Sequence, residues 1–158
     1  MTGEEFRLLR ERIGITQEFF ADRNQIKVLT VKRWEANKFS VPESAEETLK
    51  KMYDTYLKDM NNLYIKYKDY ERGKRIVLVR FNSLTYFSRY KLDSWQRIDY
   101  HSYNKAVDEV FYKLYDEYKS VSVVTFNGEN YTHYIKEKGL EDSLESVYEW
   151  GVYCYESR

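Results

Sequence analysis

Cysteine, proline and glycine are scarce in this 158-residue chain, at one, one and six copies. The single thiol, Cys154, excludes an internal disulfide and any multi-cysteine zinc site. With so little Pro and Gly there is little room for long irregular loops or a glycine-rich phosphate cradle. The two histidines, His101 and His133, form no His-x-x-x-His pair for a metal. No apolar run approaches the ~20 residues of a membrane-spanning helix. The opening segment MTGEEFRLLRER is charged within its first five residues and has none of the apolar stretch of a secretory signal. The expected setting is a reducing cytoplasm, with no cofactor, no metal and no membrane.

Aromatic residues, by contrast, are abundant. They make up 18% of the chain, 17 of them tyrosine, and apolar residues reach 42%. A packed core is therefore expected, in one ordinary domain or two small ones. Formal net charge is zero, 26 basic against 26 acidic side chains, which for a uniform chain argues against a nucleic-acid partner. The charge is not uniform. Residues 1–48 carry −1, residues 49–91 carry +7 and residues 92–158 carry −6. Within the first block, Arg23, Lys27, Lys32, Arg33 and Lys38 face Glu35 alone, a local +4 over residues 23–38. Such asymmetry is one cue for nucleic-acid binding; a basic segment that packs on an acidic one is the alternative.

The first fifty residues read as four helices. Thr2-x-x-Glu5 is a capping box that starts a helix at residue 3; Phe6, Leu9 and Ile13 recur at helical spacing, and Gly14 ends it. Thr16 caps a second helix, 17–24, with Phe20 and Ala21 inward. Residues 27–36 form a third, with Ile26, Val31 and Trp34 on its buried side and Asn37 as its left-handed end. Val41-Pro42-Glu43 opens the fourth, where Ser40-x-x-Glu43 repeats the capping-box spacing.

Thr16-Gln17-Glu18, Ala21, Ile26 and Thr30-Val31-Lys32-Arg33-Trp34-Glu35 together resemble the helix-turn-helix of the phage-repressor (XRE/Cro-like) family. The resemblance implies a DNA-binding domain over residues 1–42. The third helix would then present Lys27, Val28, Leu29, Thr30, Lys32 and Arg33 to a major groove. Lys32 and Arg33 are the candidates for base edges, and the apolar Val28 and Leu29 for thymine methyls. Gln17, Lys27 and Lys38 are the candidates for phosphates. Two departures stand out. The turn reads Arg23-Asn24-Gln25 where the family carries Gly, so Asn24 or Gln25 must take the left-handed conformation, Asn with less strain. Lys27 stands where the family has a Ser or Thr cap.

The run Trp34-Glu35-Ala36-Asn37-Lys38-Phe39-Ser40-Val41-Pro42-Glu43, leading into a helix, resembles the YdiL-like regulators, a group that includes anti-CRISPR-associated repressors of phages. That likeness covers residues 2 to about 60 and beyond them rests only on Lys74–Asn82. It implies a homodimer on an inverted repeat of double-stranded DNA, with a C-terminal dimerisation domain.

Nothing breaks a helix from Glu43 to Glu71. Leu49, Tyr53, Tyr56, Met60, Leu63, Tyr67 and Tyr70 form a heptad seam, widened by Met52, Leu57 and Tyr64. Residues 43–72 are expected to be a long connecting helix, docked on the C-terminal domain and only partly on a dimer mate. Lys50, Lys51, Lys58, Lys66 and Lys68 flank DNA or simply solubilise it. Residues 73–158 read as a small α+β domain with three or four strands: a doubly buried strand at 75–81, a helix from Ser83 to Tyr90, a strand at 95–100, a helix 103–118 capped by Ser102, a strand at 121–126 and a helix 131–138 closed by Gly139. Residues 143–155 fit a helix or a strand. Tyr131 and Tyr134 line a pocket or pack a core. Cys154 reads as an idle thiol, Asp108-Glu109 and Asp116-Glu117 as exposed carboxylates, and no active site assembles. The fold class expected is thus α+β: a helical head, a long helix and an α+β tail. The functional expectation is a cytoplasmic, non-enzymatic, homodimeric DNA-binding repressor. The alternative is an antitoxin-like interaction module whose acidic tail binds a basic protein partner.

Overall fold

The structure, a computed structural model, describes residues 1–69, 75–91, 100–117 and 119–158. They form a mostly helical α+β chain with eight helices and two strands among the described residues, divided into two compact units, Met1–Lys58 and Asp59–Arg158.

In the first unit, α1 (Gly3–Arg12) starts at the expected capping box: the Thr2 hydroxyl accepts the Glu5 N–H at 3.1 Å and the Glu5 carboxylate accepts the Thr2 N–H at 2.7 Å. Gly14 turns the chain with a φ of 69°. α2 (Gln17–Arg23) is capped by the Thr16 hydroxyl, which accepts the Phe19 N–H at 3.0 Å. α3 (Val28–Glu35) follows residues 24–27. It is Gln25, at φ 54°, that takes the left-handed conformation there. Asn24 stays at φ −102° because its side-chain amide is committed to the Phe20 carbonyl at 2.7 Å. The core gathers Phe6, Ile13, Ile15, Phe20, Ala21, Val31 and Trp34. Phe6 meets Phe20 edge-on at 5.0 Å and Trp34 at 5.9 Å. Position 3 must be glycine: a Cβ there would lie 1.7 Å from the Trp34 carbonyl oxygen.

α4 (Glu43–Asp69) begins with the Pro42 carbonyl accepting the Glu46 N–H at 3.0 Å, which puts Pro42, not Ser40, in the capping place. Four of its seven seam residues are buried, while Tyr53 and Met60 are half-buried. Leu49, Tyr56 and Leu63 are fully buried and Tyr67 nearly so. The first part of the helix belongs to the first unit and its last part to the second. The expected helix end at Arg72-Gly73-Lys74, and Tyr70, lie outside the described residues.

The second unit continues with β1 (Ile76–Arg80), α5 (Leu84–Tyr90), α6 (Tyr100–Asp116), β2 (Val121–Thr125), α7 (Gly128–Lys138) and α8 (Leu144–Glu156). β1 and β2 pair in parallel, from Ile76 opposite Val121 to Arg80 opposite Thr125. A parallel pair needs a long crossover, which the segment holding α5 and α6 supplies. Ile76 to Val79 are all buried, as the apolar run predicts. α8 covers the face of Val77, Val79 and Val124, close enough that a Cβ on Gly151 would lie 3.1 Å from Val79. On the other face Arg80 pairs with Asp108 of α6 at 3.6 Å. Side chains bond the backbone at two places along this segment. The Val79 N–H donates to the Tyr67 hydroxyl at 2.7 Å, and Asn104 both accepts the Phe81 N–H at 3.0 Å and donates to its carbonyl at 2.7 Å.

Several expectations for this unit change. The described residues hold two strands rather than three or four. Of the strand expected at 95–100, residues 95–99 lie outside the described set and Tyr100 is the first residue of α6. Ser102 is therefore a fully buried residue in that helix, not its cap. Its end at Asp116 precedes Tyr118, which is outside the described residues. α7 starts at Gly128, three residues before Tyr131, because the Asn127 side chain caps it by accepting the Asn130 N–H. Residues 144–156 are helical, with the Ser143 hydroxyl accepting the Ser146 N–H. Tyr131 and Tyr134 are core residues, 2% and 9% exposed.

Asp142, in the turn before α8, ties α5 to α7. It accepts from Tyr90 at 2.8 Å and Tyr131 at 3.0 Å, and it pairs with Arg89. Burial, then the hydrogen bond to Asp142, pushes the Tyr131 hydroxyl up to about 12 and raises that of Tyr90 as well. In the unfolded chain both ionise near the ordinary tyrosine value of ~10. Above that pH the unfolded state sheds protons that the folded state keeps, so stability falls as pH rises from about 10 toward 12. Replacing Tyr131 by Phe should flatten this alkaline loss, read as the denaturation midpoint against pH; an unchanged slope would show that Tyr131 does not titrate with unfolding.

Candidate nucleic-acid interface

The outward face of α3 is set by what its inward face buries. Val31 and Trp34 point into the core, so Leu29, Lys32 and Arg33 point out. Leu29 is 54% exposed, and Lys27, Lys32, Arg33 and Lys38 are all exposed; Val28 and Thr30 are half-buried at the edges of the face. Lys27 occupies the capping position of α3 without a side-chain capping bond. Arg23 is exposed too, so every basic side chain of residues 23–38 is on the surface.

The one acid of that segment is turned inward. Glu35 accepts from Arg10 Nε at 2.6 Å and Arg10 Nη2 at 3.0 Å, a two-pronged pair whose side chains are only 7% and 4% exposed. The remaining basic face is thus undiluted by Glu35. Gln17 joins this network, its amide donating to Glu35 at 2.7 Å. That places Gln17 as a brace between α2 and the end of α3, with one amide hydrogen already spent.

Past α3, Asn37 takes the left-handed conformation at φ 54°, and its side chain accepts the Gly3 N–H at 3.0 Å. The reversal brings the Lys38 N–H to the Arg33 carbonyl at 2.9 Å and lays the Phe39 ring under the Arg33 guanidinium, 5.6 Å from its centroid. Phe39 is 58% exposed and completes the patch. Sequence reading passed over it; an aromatic just beyond the left-handed Asn37, beside Lys38, was the available signal.

Elsewhere the chemistry is quiet. Burial raises the Cys154 thiol above its usual value, which disfavours the reactive thiolate. Among the described residues no helix is long and apolar enough to cross a membrane. No protein-family model matches the chain, and no curated protein matches it.

Proposed function

We propose that the chain is a sequence-specific DNA-binding transcriptional regulator, a homodimeric repressor of an inverted-repeat operator. α3 is the element that enters the major groove. The observation that carries this reading is the exposed face of Leu29, Lys32 and Arg33, continued by Lys27 and Lys38, while Glu35 is drawn inward by Arg10. Phosphate contacts need local positive charge rather than a basic whole chain, and this face supplies it. Lys32 and Arg33 read base edges, Arg33 held in place by Phe39. Two-fold symmetry sets the half-sites about one helical turn apart, ~34 Å.

The test is selection of bound duplexes from a random pool at several salt concentrations. A palindromic consensus is expected. Lys32→Ala and Arg33→Ala should each weaken binding to it by ~1–3 kcal/mol, with the melting temperature near wild type. A folded double variant with wild-type operator affinity would end this assignment. Recovery of a stoichiometric basic protein with no duplex selected would favour a protein-binding module instead.

A further inference from the structure

α6 has two faces of opposite character. Tyr103, Ala106, Val107, Val110 and Leu114 bury the inner one. The outer one carries a stripe of Lys105, Tyr112, Tyr115 and Asp116, all exposed, the two tyrosines at 63% each. These are the most exposed large apolar side chains of the described residues. Phe111 stacks on Tyr115 at 5.8 Å, so part of the stripe is already ordered before anything binds. Aromatic side chains with few rotatable bonds are favoured at interfaces for that reason.

The obvious rival is the heptad seam of α4, and most of its described residues are taken. Leu49, Tyr56, Leu63 and Tyr67 are already buried within the chain. A two-fold contact along that seam would first have to undo this packing.

We propose that the outer stripe of α6 is the homodimer interface, occupied by α6 of a second copy running antiparallel, with each Lys105 opposite the partner's Asp116. The proposal rests on the homodimer reading above and assigns its surface. The charge order along the stripe carries the choice of occupant. Lys105 and Asp116 are three helical turns apart on one face, ~16 Å along the axis, with the tyrosines between them. A parallel copy would set Lys105 against Lys105 and Asp116 against Asp116. An antiparallel copy sets Lys105 against Asp116 twice, as isologous symmetry requires. A pair of such helices covers on the order of a few hundred Å² per copy, below the ~1,000 Å² total of a stable interface, so the free dimer is a transient one. Binding two half-sites of one operator tightens it through effective concentration.

Sedimentation equilibrium of the full chain tests this. Wild type should associate reversibly, and Tyr112→Asp with Tyr115→Asp should sediment as a monomer with an unchanged circular-dichroism spectrum. Lys105→Glu and Asp116→Lys should each weaken association about tenfold, since each breaks both symmetric pairs and sets like charges opposite. The double exchange Lys105→Glu/Asp116→Lys should restore it. These two sites are on the surface, so they carry the test if the tyrosine variant fails to fold. A dimer that survives the tyrosine changes, or single charge changes without effect, overturns the α6 interface while the homodimer reading stands. Weakening without restoration overturns the antiparallel pairing. Wild type that stays monomeric at all concentrations, with and without operator, overturns the homodimer reading itself.

Discussion

Glu35→Ala is expected to cost the N-terminal unit about 3–5 kcal/mol, the usual penalty for stranding one partner of a buried ion pair. The Arg10 guanidinium is 7% exposed and currently places its Nε and Nη2 on Glu35 and its Nη1 on the Ile15 carbonyl at 2.6 Å. Without Glu35 it keeps the Ile15 carbonyl and the exposed Glu11 carboxylate at 3.5 Å, too little to replace lost hydration. Gln17 loses its partner in the same step. Chemical denaturation measures the effect. The pair Arg10→Met/Glu35→Leu should be less destabilised than Glu35→Ala alone, because it removes both charges and their desolvation together. A loss below ~1 kcal/mol for Glu35→Ala would show that the pair adds nothing. On the DNA-binding function proposed above, two opposed forces act on affinity. Deleting a carboxylate makes the face more positive and on charge alone strengthens binding. The network also ties the end of α3 to α1, and a recognition helix without that anchor loses register. The expected net result is weaker operator binding with a shallower preference for it over random duplex.

This network marks where the sequence stopped being informative. The helices of the first unit are written in local signals: the Thr2 box, the Thr16 cap, the helical spacing of Phe6, Leu9 and Ile13, and that of Val31 and Trp34. Local signals need no knowledge of distant residues, and the four helices lie where they were expected. Glu35 was visible only as the last letter of a motif. Its partners are 25 and 18 residues away, Arg10 and Gln17, and nothing in periodicity pairs them. Gln17 was accordingly read as facing solvent phosphates, when half its donor capacity turns inward. Gln25 took the left-handed turn over the better-suited Asn24 because a side-chain hydrogen bond to Phe20 outweighed intrinsic preference.

In the second unit the two strands were legible as short apolar runs of β-branched residues at 76–79 and 121–124. The helices around them were less so. Residues 144–156 are rich in Val, Tyr and Trp, which suit strands as well as helices. Packing decides for the helix: Gly151 lets its backbone lie on Val77, Val79 and Val124, a contact no local rule contains. The start of α7 was missed because Asn127-Gly128 reads equally as a turn and as a cap with a first helical residue. The exposed tyrosines of α6 were visible as an excess of tyrosine; only the fold separates the exposed ones from Tyr131 and Tyr148, which fill the core.

Trp150→Ala should be the most damaging single change in the second unit, at about 3–5 kcal/mol. Trp150 is 2% exposed on α8 and packs edge-on against Phe126 at 5.2 Å and Tyr131 at 6.3 Å. Phe126 in turn meets Phe81, Tyr86 and Tyr90, so the indole closes an aromatic cluster at the ends of both strands. Truncation opens a cavity that rings of this size cannot collapse into without breaking their edge-to-face geometry. Trp150→Phe keeps most of that packing and gives up the bond from Nε1 to Asn130 at 3.0 Å. Asn130 is exposed, so water replaces the lost donor, and the cost should stay near 1 kcal/mol. Denaturant midpoints distinguish the two variants. Hydrogen exchange then locates the damage. Amides of β1 and β2 should lose protection in Trp150→Ala, while those of α1 to α3, whose core is Phe6, Phe20 and Trp34, keep theirs. Equal loss in both places would mean that α4, shared by the two units, transmits the destabilisation as one cooperative block. The Lys32 and Arg33 face would then depend on the aromatic core of the second unit as much as on its own.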